Sequence, residues 1–171
     1  MKSASNQNIV DFRMIGNTKG TYVLILYLEK QKRLRAGKMG SFDVPLGWYA
    51  YVGSAFGPGG LSARLKHHFN ISSKPHWHID FLRKESILKE IWISADDARK
   101  MEHEWAQILA DIENAQIFIA KFGATDCRCR SHLFYFKNRP DLALFHEVLK
   151  IEMPRCKNVL RLVGWEKRTL N

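Results

Sequence analysis

Tyr49-Ala50-Tyr51-Val52-Gly53-Ser54-Ala55, followed by Leu61-Ser62-Ala63-Arg64-Leu65-Lys66-His67-His68-Phe69, reads as a strand, a glycine-rich turn and a basic helix. Side chains alternate along a strand, so Tyr49 and Tyr51 share one face, opposite Trp48, Ala50 and Val52. On the helix, Leu61, Leu65 and Phe69 recur at the spacing of a buried stripe. Arg64 and His68 form a separate i, i+4 pair flanking that stripe, which puts them where the helix meets the sheet. Tyrosine hydroxyls, a guanidinium and an imidazole gathered in this way suit the handling of a phosphate. A nearby cation would lower a phenol pKa and let the phenolate take a proton from water. Any one of these tyrosines alone would ordinarily be read as packing. Lys66 and His67 read as a solvated basic edge that adds general attraction for DNA.

Working outward, Thr21 to Leu28 is almost continuously apolar, as expected of a central strand, with Tyr22 on the same face as Leu24 and Leu26. Lys30 to Lys38 reads as a basic turn within a hairpin, and Phe42 to Val44 as a short strand. Pro75 suits the first turn of a short helix reaching about Lys84. Leu88 to Ser94 and Leu133 to Phe136 are expected strands, and Asp141 to Lys150 an amphipathic helix. Ser94, Asp96 and Asp97 are N-cap candidates for a long helix ending near Glu113. On that helix Trp105, Ala106 and Leu109 fall within roughly 60° of Glu102, whereas Glu104 points nearly the opposite way. A carboxylate on an apolar face needs a cation. A salt bridge to a nearby Lys or Arg is one answer, and a divalent ion such as Mg²⁺, held through one carboxylate and several waters, is the other.

Lys and Arg number 27 against 17 Asp and Glu, a net charge of +10 that attracts polyanions. The hydrophobic fraction of 46% supports a sizeable core in a chain of 171 residues. The stretch from Met1 to Asn8 has no apolar signal core, and no apolar run is long enough to span a bilayer. The 3 cysteines fit a reducing cytoplasm better than a disulfide framework. Cys127 and Cys129 with His132, and His76, His78 and Asp80, form a second polar group. These residues read as a hydrogen-bonded lining of the cleft, with zinc the lesser alternative, because C-x-C is not the usual zinc spacing. Cys156 reads as a small core residue.

With Gly20-Thr21-Tyr22 upstream, the chain resembles the GIY-YIG nuclease family, GTY standing for GIY and YVG for YIG. The runs Gly57-Pro58-Gly59-Gly60-Leu61, His76-Trp77-His78-Ile79-Asp80-Phe81-Leu82 and Asp126-Cys127-Arg128-Cys129-Arg130-Ser131-His132 look like an uncharacterised subgroup of it, found alone or fused to endonuclease III-type repair enzymes. The resemblance implies an α+β domain with an antiparallel sheet of about three strands flanked by helices. It would span residues 19–137, after a lead-in of 1–18 and before a C-terminal helical extension of 138–171. It implies Tyr22, Tyr51, Arg64 and His68 as catalytic groups and Glu102 as the ligand of Mg²⁺ or Mn²⁺. The implied activity is hydrolysis of DNA phosphodiesters, in a repair or recombination setting with a repair-protein partner. A non-catalytic nucleic-acid-binding module of the same fold is the alternative, and a zinc-stabilised interaction domain is a third reading.

Overall fold

β1 (Gly20–Leu28) occupies the middle of the main sheet, and its residues are buried on both faces except at Tyr27. A computed structural model describes residues 15–71, 73–156 and 159–162. After β1 come β2 (Lys32–Arg35), β3 (Ser41–Val44), β4 (Gly47–Ser54), α1 (Gly60–Phe69), α2 (His78–Glu85), β5 (Ile87–Ala95), α3 (Glu102–Asp111), β6 (Leu133–Phe136), α4 (Leu142–Glu152) and β7 (Leu160–Leu162). The main sheet has the order β6-β4-β1-β5-β7 and is antiparallel throughout. β2 and β3 form a separate ribbon closed by a 3-10 turn over Gly37–Met39.

The fold is α+β as expected, but its sheet has 5 strands where about three were anticipated. The additional strands, β6 and β7, are short and pair along the two edges. Alternation divides the side chains into two layers. Tyr22, Leu24 and Leu26 of β1, with Tyr49 and Tyr51 of β4, pack against Leu61 and Leu65 of α1 and Ile79 and Leu82 of α2. Val23, Ile25, Ala50 and Val52 face the other way, onto Trp105 and Leu109 of α3 and Phe145 and Leu149 of α4. Leu34 and Val44 seat the ribbon on the first layer, and Lys32 forms an ion pair with Glu85 of α2.

Three local readings are corrected. α3 begins at Glu102, not at the acidic cluster before it, and Met101 is its N-cap. Asp97 instead accepts from the Lys19 amide at 2.8 Å, and Asp96 accepts from the Ala98 amide at 3.0 Å. Those carboxylates fasten the β5–α3 connection, and Ser94 belongs to β5. α2 begins at His78, so Pro75 precedes the helix; Trp77 is the N-cap and Asp80 closes the first turn. The segment beyond β6 contains β7 as well as a helix. The start of the expected lead-in and the end of the expected extension lie outside the described residues. No helix among the described residues is long and apolar enough to cross a membrane.

Glu90 of β5 is 2% exposed and meets Arg139 at 3.0 Å and Arg161 of β7 at 2.8 Å. The trio joins the edge strand and the β6–α4 connection to the sheet. Removing one member of a buried ion pair is costly because the opposite charge stays behind. Glu90→Ala is therefore expected to lower stability by about 3 kcal/mol, read as a lower urea midpoint at unchanged slope. A wild-type midpoint would show that the trio contributes nothing.

Candidate active site

β1 and β4 pair with Tyr22 opposite Gly53. A Cβ at position 53 would lie 2.4 Å from both Cζ and Oη of Tyr22, so the glycine leaves room for the phenol ring to cross β4. α1 is delivered by the following turn. Gly60 has φ +56° and sits so close to the Asn17 carbonyl that a Cβ would approach it to 2.1 Å. The first amides of α1 are satisfied there, Leu61 N donating to Thr18 O at 2.9 Å and Ser62 N to Gly16 O at 3.1 Å. The helix then presents His68, buried, with Nε2 2.8 Å from Tyr22 Oη. One turn earlier, the Arg64 guanidinium stacks 4.1 Å from the Trp77 ring centre. Among the described residues Arg64 has no acidic partner, so its N–H donors remain available.

Glu102 reaches the same space from the other layer. The Met101 amide donates to Thr21 Oγ at 3.1 Å, which fixes the start of α3 beside the first residues of β1. Glu102 comes next, with Trp105 and Ala106 buried beneath it. Its carboxylate accepts from Ser54 Oγ at 3.1 Å, pairs with Lys100 at 3.0 Å and faces His132 Nδ1 at 3.6 Å. Glu104 points away and pairs with Arg99. The local salt bridge considered for Glu102 is thus present, with Lys100. The Lys100 side chain is 50% exposed, against 13% for that of Glu102. Tyr22, Tyr51, Arg64, His68 and Glu102 line one cleft of about 610 Å³.

Electrostatics alter the expected proton roles. Burial pushes the Tyr22 phenol well above its ordinary value, and the Tyr51 phenol is the stronger of the surrounding charges in the same direction; Arg64 opposes both and is outweighed. Burial likewise raises Tyr51, with Glu102 adding to it. Both phenols are therefore protonated at neutral pH, which favours orienting over deprotonating water between the two roles considered for a phenol. Burial and the neighbouring His67 bring His68 down to about 3, so its ring is neutral. Its Nδ1 is buried without a hydrogen-bond partner among the described residues.

The remaining expected site residues separate. Lys66 is exposed on α1. His67 is held by Asp80 at 2.9 Å and lies 4.4 Å from the Trp77 ring, so it braces α1 against α2 instead of projecting toward a ligand. Asp80 also accepts from the His76 and Trp77 amides at 2.8 and 3.0 Å. Burial would raise its carboxyl, but these amides and His67 hold it below the ordinary value. Asp80 is thus a capping group outside the cleft, whereas His76 and His78 line it. His78 Nδ1 accepts from the Gly123 amide at 3.3 Å. Cys127 and His132 line the cleft, and Cys129 stands behind them. All the cysteines among the described residues are free thiols. Burial, then the Cys127 thiol, raises Cys129 to about 11. Burial also lowers His132, against the pull of Glu102.

Sequence reasoning did not single out Ser54, Trp77, Lys100 or His103 as cleft residues, though all four line the cleft. Ser54 lay within the quoted strand, and His103 carried a signal only as the neighbour of Glu102.

The architecture and site define an α+β domain with a polar cleft across the strand ends of a five-stranded sheet. The chain belongs to the family described as domain of unknown function DUF123, whose family model matches residues 21–153. Comparison with curated proteins and with solved structures found no match.

Proposed function

We propose that this protein is a metal-dependent endonuclease that hydrolyses DNA phosphodiester bonds. The observation that carries the reading is the convergence of Tyr22, Tyr51, Arg64, His68 and Glu102, from β1, β4, α1 and α3, on one cleft. A binding surface needs lysines and arginines, but it has no use for a recessed carboxylate beside them. The resemblance of these residues to the GIY-YIG pattern supports the same reading.

Arg64 clamps the scissile phosphate through its guanidinium, which has no acidic partner among the described residues and which Trp77 holds by stacking. As negative charge builds on the phosphate, the fixed guanidinium stabilises it without rearrangement. Tyr22 and His68 share one hydrogen bond and together orient the attacking water. With both phenols raised by burial, a resting phenolate base is disfavoured, so Tyr22 positions and donates. Tyr51 completes the polar wall of the cleft.

The donor set at Glu102 is one carboxylate beside the Ser54 hydroxyl, open to a cleft with room for water. This fits Mg²⁺ or Mn²⁺, which keep most of their waters when bound. When bound, the ion supplies Lewis-acid stabilisation of the departing oxygen. Lys100, half exposed, pairs with the same carboxylate and would share it with the ion.

The test is incubation of the full chain with branched, nicked and flapped DNA in Mg²⁺ or Mn²⁺. Metal-dependent products are expected, and binding to every substrate with cleavage of none would favour the non-catalytic module instead. The +10 charge predicts that log K for DNA falls against log salt by about 0.9 per phosphate contacted. Fluorescence anisotropy across a salt series measures this, and a flat response would remove the nucleic-acid reading.

A further inference from the structure

Two thiols and two imidazoles meet beside the cleft. The ligand atoms of His103, Cys127, Cys129 and His132 all lie within 4.8 Å of one another. They come from separate parts of the fold, His103 from the first turn of α3 and the others from the connection that leads into β6. Cys127 Sγ lies 3.5 Å from His132 Nε2. A tetrahedral zinc site, with sulfur and nitrogen ligands at about 2.3 and 2.0 Å, has a sulfur-to-nitrogen edge of about 3.5 Å. That pair already stands at the edge length of such a site, and no other pair of ligand atoms needs to close by more than about 1.5 Å.

Independent features surround the cluster as they would a metal. Glu102 faces the opposite nitrogen of His132, Nδ1, at 3.6 Å. A carboxylate behind the ring of a ligating histidine is the usual means of fixing its tautomer. That buried nitrogen has no hydrogen-bond partner among the described residues, and the carboxylate stands just beyond bonding distance of it. Lys121 Nζ donates to the carbonyls of Cys127 and Cys129, at 2.9 and 3.0 Å, and so holds the C-x-C turn with both sulfurs on the same side. The cysteines form no disulfide. The His103 ring is exposed and stands beside the His132 ring, 5.9 Å between centres.

The geometry points to a closed four-ligand site for zinc or another thiophilic divalent ion, built by His103, Cys127, Cys129 and His132. Two sulfurs and two ring nitrogens select such an ion over Mg²⁺, and a full set of protein ligands makes the site structural. It ties the connection before β6 to α3, and so fixes the cleft wall formed by Asp126, Cys127 and His132. Through His132 it also steadies the carboxylate of Glu102. The site is the lesser alternative of the sequence reading, with His103 of α3 as the fourth ligand that C-x-C spacing alone did not supply. None of the four ligands is a group assigned to DNA cleavage, and Glu102 touches the site only from behind His132, so the site's failure would leave that proposal standing.

The experiment uses the full chain, dialysed against zinc, desalted and analysed by mass spectrometry for metal. One zinc per chain is expected. The chelated protein refilled with Co²⁺ should show the strong visible absorption of tetrahedral cobalt and a thiolate-to-cobalt charge-transfer band. Cys127→Ser and Cys129→Ser should each lower the intensity of that band, and the double variant should lose it. His103→Ala changes an exposed side chain and should keep the near-ultraviolet circular dichroism of the fold. Loss of even an outer-shell partner costs about 10–100-fold in metal affinity, so His103→Ala should weaken zinc by at least about 10-fold. Zinc well below one per chain after dialysis would overturn the proposal. So would a cobalt spectrum without thiolate bands, or zinc affinity unchanged in His103→Ala.

Discussion

Arg64→Ala is expected to reduce the single-turnover rate of DNA cleavage by about 10³-fold, while affinity for DNA changes far less. The contrast arises from where the charge acts. A guanidinium fixed 4.1 Å from the Trp77 ring, with no competing acidic partner among the described residues, meets the phosphate when its charge is greatest. Lys66, exposed on the same helix, contributes to the general field around the duplex. Lys66→Ala should weaken binding modestly, reduce the salt slope by about 0.9, and leave the rate at saturating protein near wild type. Equal loss of rate in both variants, or full activity in Arg64→Ala, would reduce α1 to a basic binding surface. A protein that binds DNA without cutting it would then be the better description.

The second large effect is expected at Glu102. Glu102→Ala should lower cleavage by at least about 10²-fold, with DNA affinity nearly unchanged. The same variant should lose Mn²⁺ binding in isothermal titration. Equal Mn²⁺ affinity in the two proteins would contradict the assigned ligand. Glu104→Ala is the matched control, since its exposed pair with Arg99 is worth about 0–1 kcal/mol. Because Glu102 also stands behind His132, zinc content should be measured in the same samples. Loss of cleavage with zinc retained separates the carboxylate's own role from any loosening of the neighbouring cluster.

Periodicity made the central part of this site legible. Alternation put Tyr49 and Tyr51 on one face of β4 and Tyr22 with Leu24 and Leu26 on one face of β1, and the 3.6-residue repeat put Glu102 above Trp105 and Ala106; these arrangements occur in the structure. Boundaries were less legible where a polar residue had competing uses. Asp96 and Asp97 have the chemistry of helix caps, but distant and local backbone amides claim them. Asp80 likewise fits a metal ligand in composition, yet it serves the first turn of α2 and His67. β7 is only 3 residues long and gives little alternation to read. β2 carries Lys-Arg-Leu-Arg, where one buried leucine is the entire apolar signal. His103 was missed for a different reason. Its partners lie more than a helix away in the chain, and nothing local to α3 announces them.

Thr21 and Tyr22 are consecutive, and a strand sends consecutive side chains to opposite sides. Tyr22 therefore meets His68 in one layer while the Thr21 hydroxyl holds the amide of Met101 in the other. The dipeptide acts as a common origin from which both halves of the cleft are measured. The separation of phenol and carboxylate is then set by a covalent bond, one hydrogen bond and one step of helix. The β4–α1 and α2–β5 connections lie outside that chain of distances. They can vary in length or composition without changing the spacing, which confines the mechanical tolerance of the site to the first turn of α3.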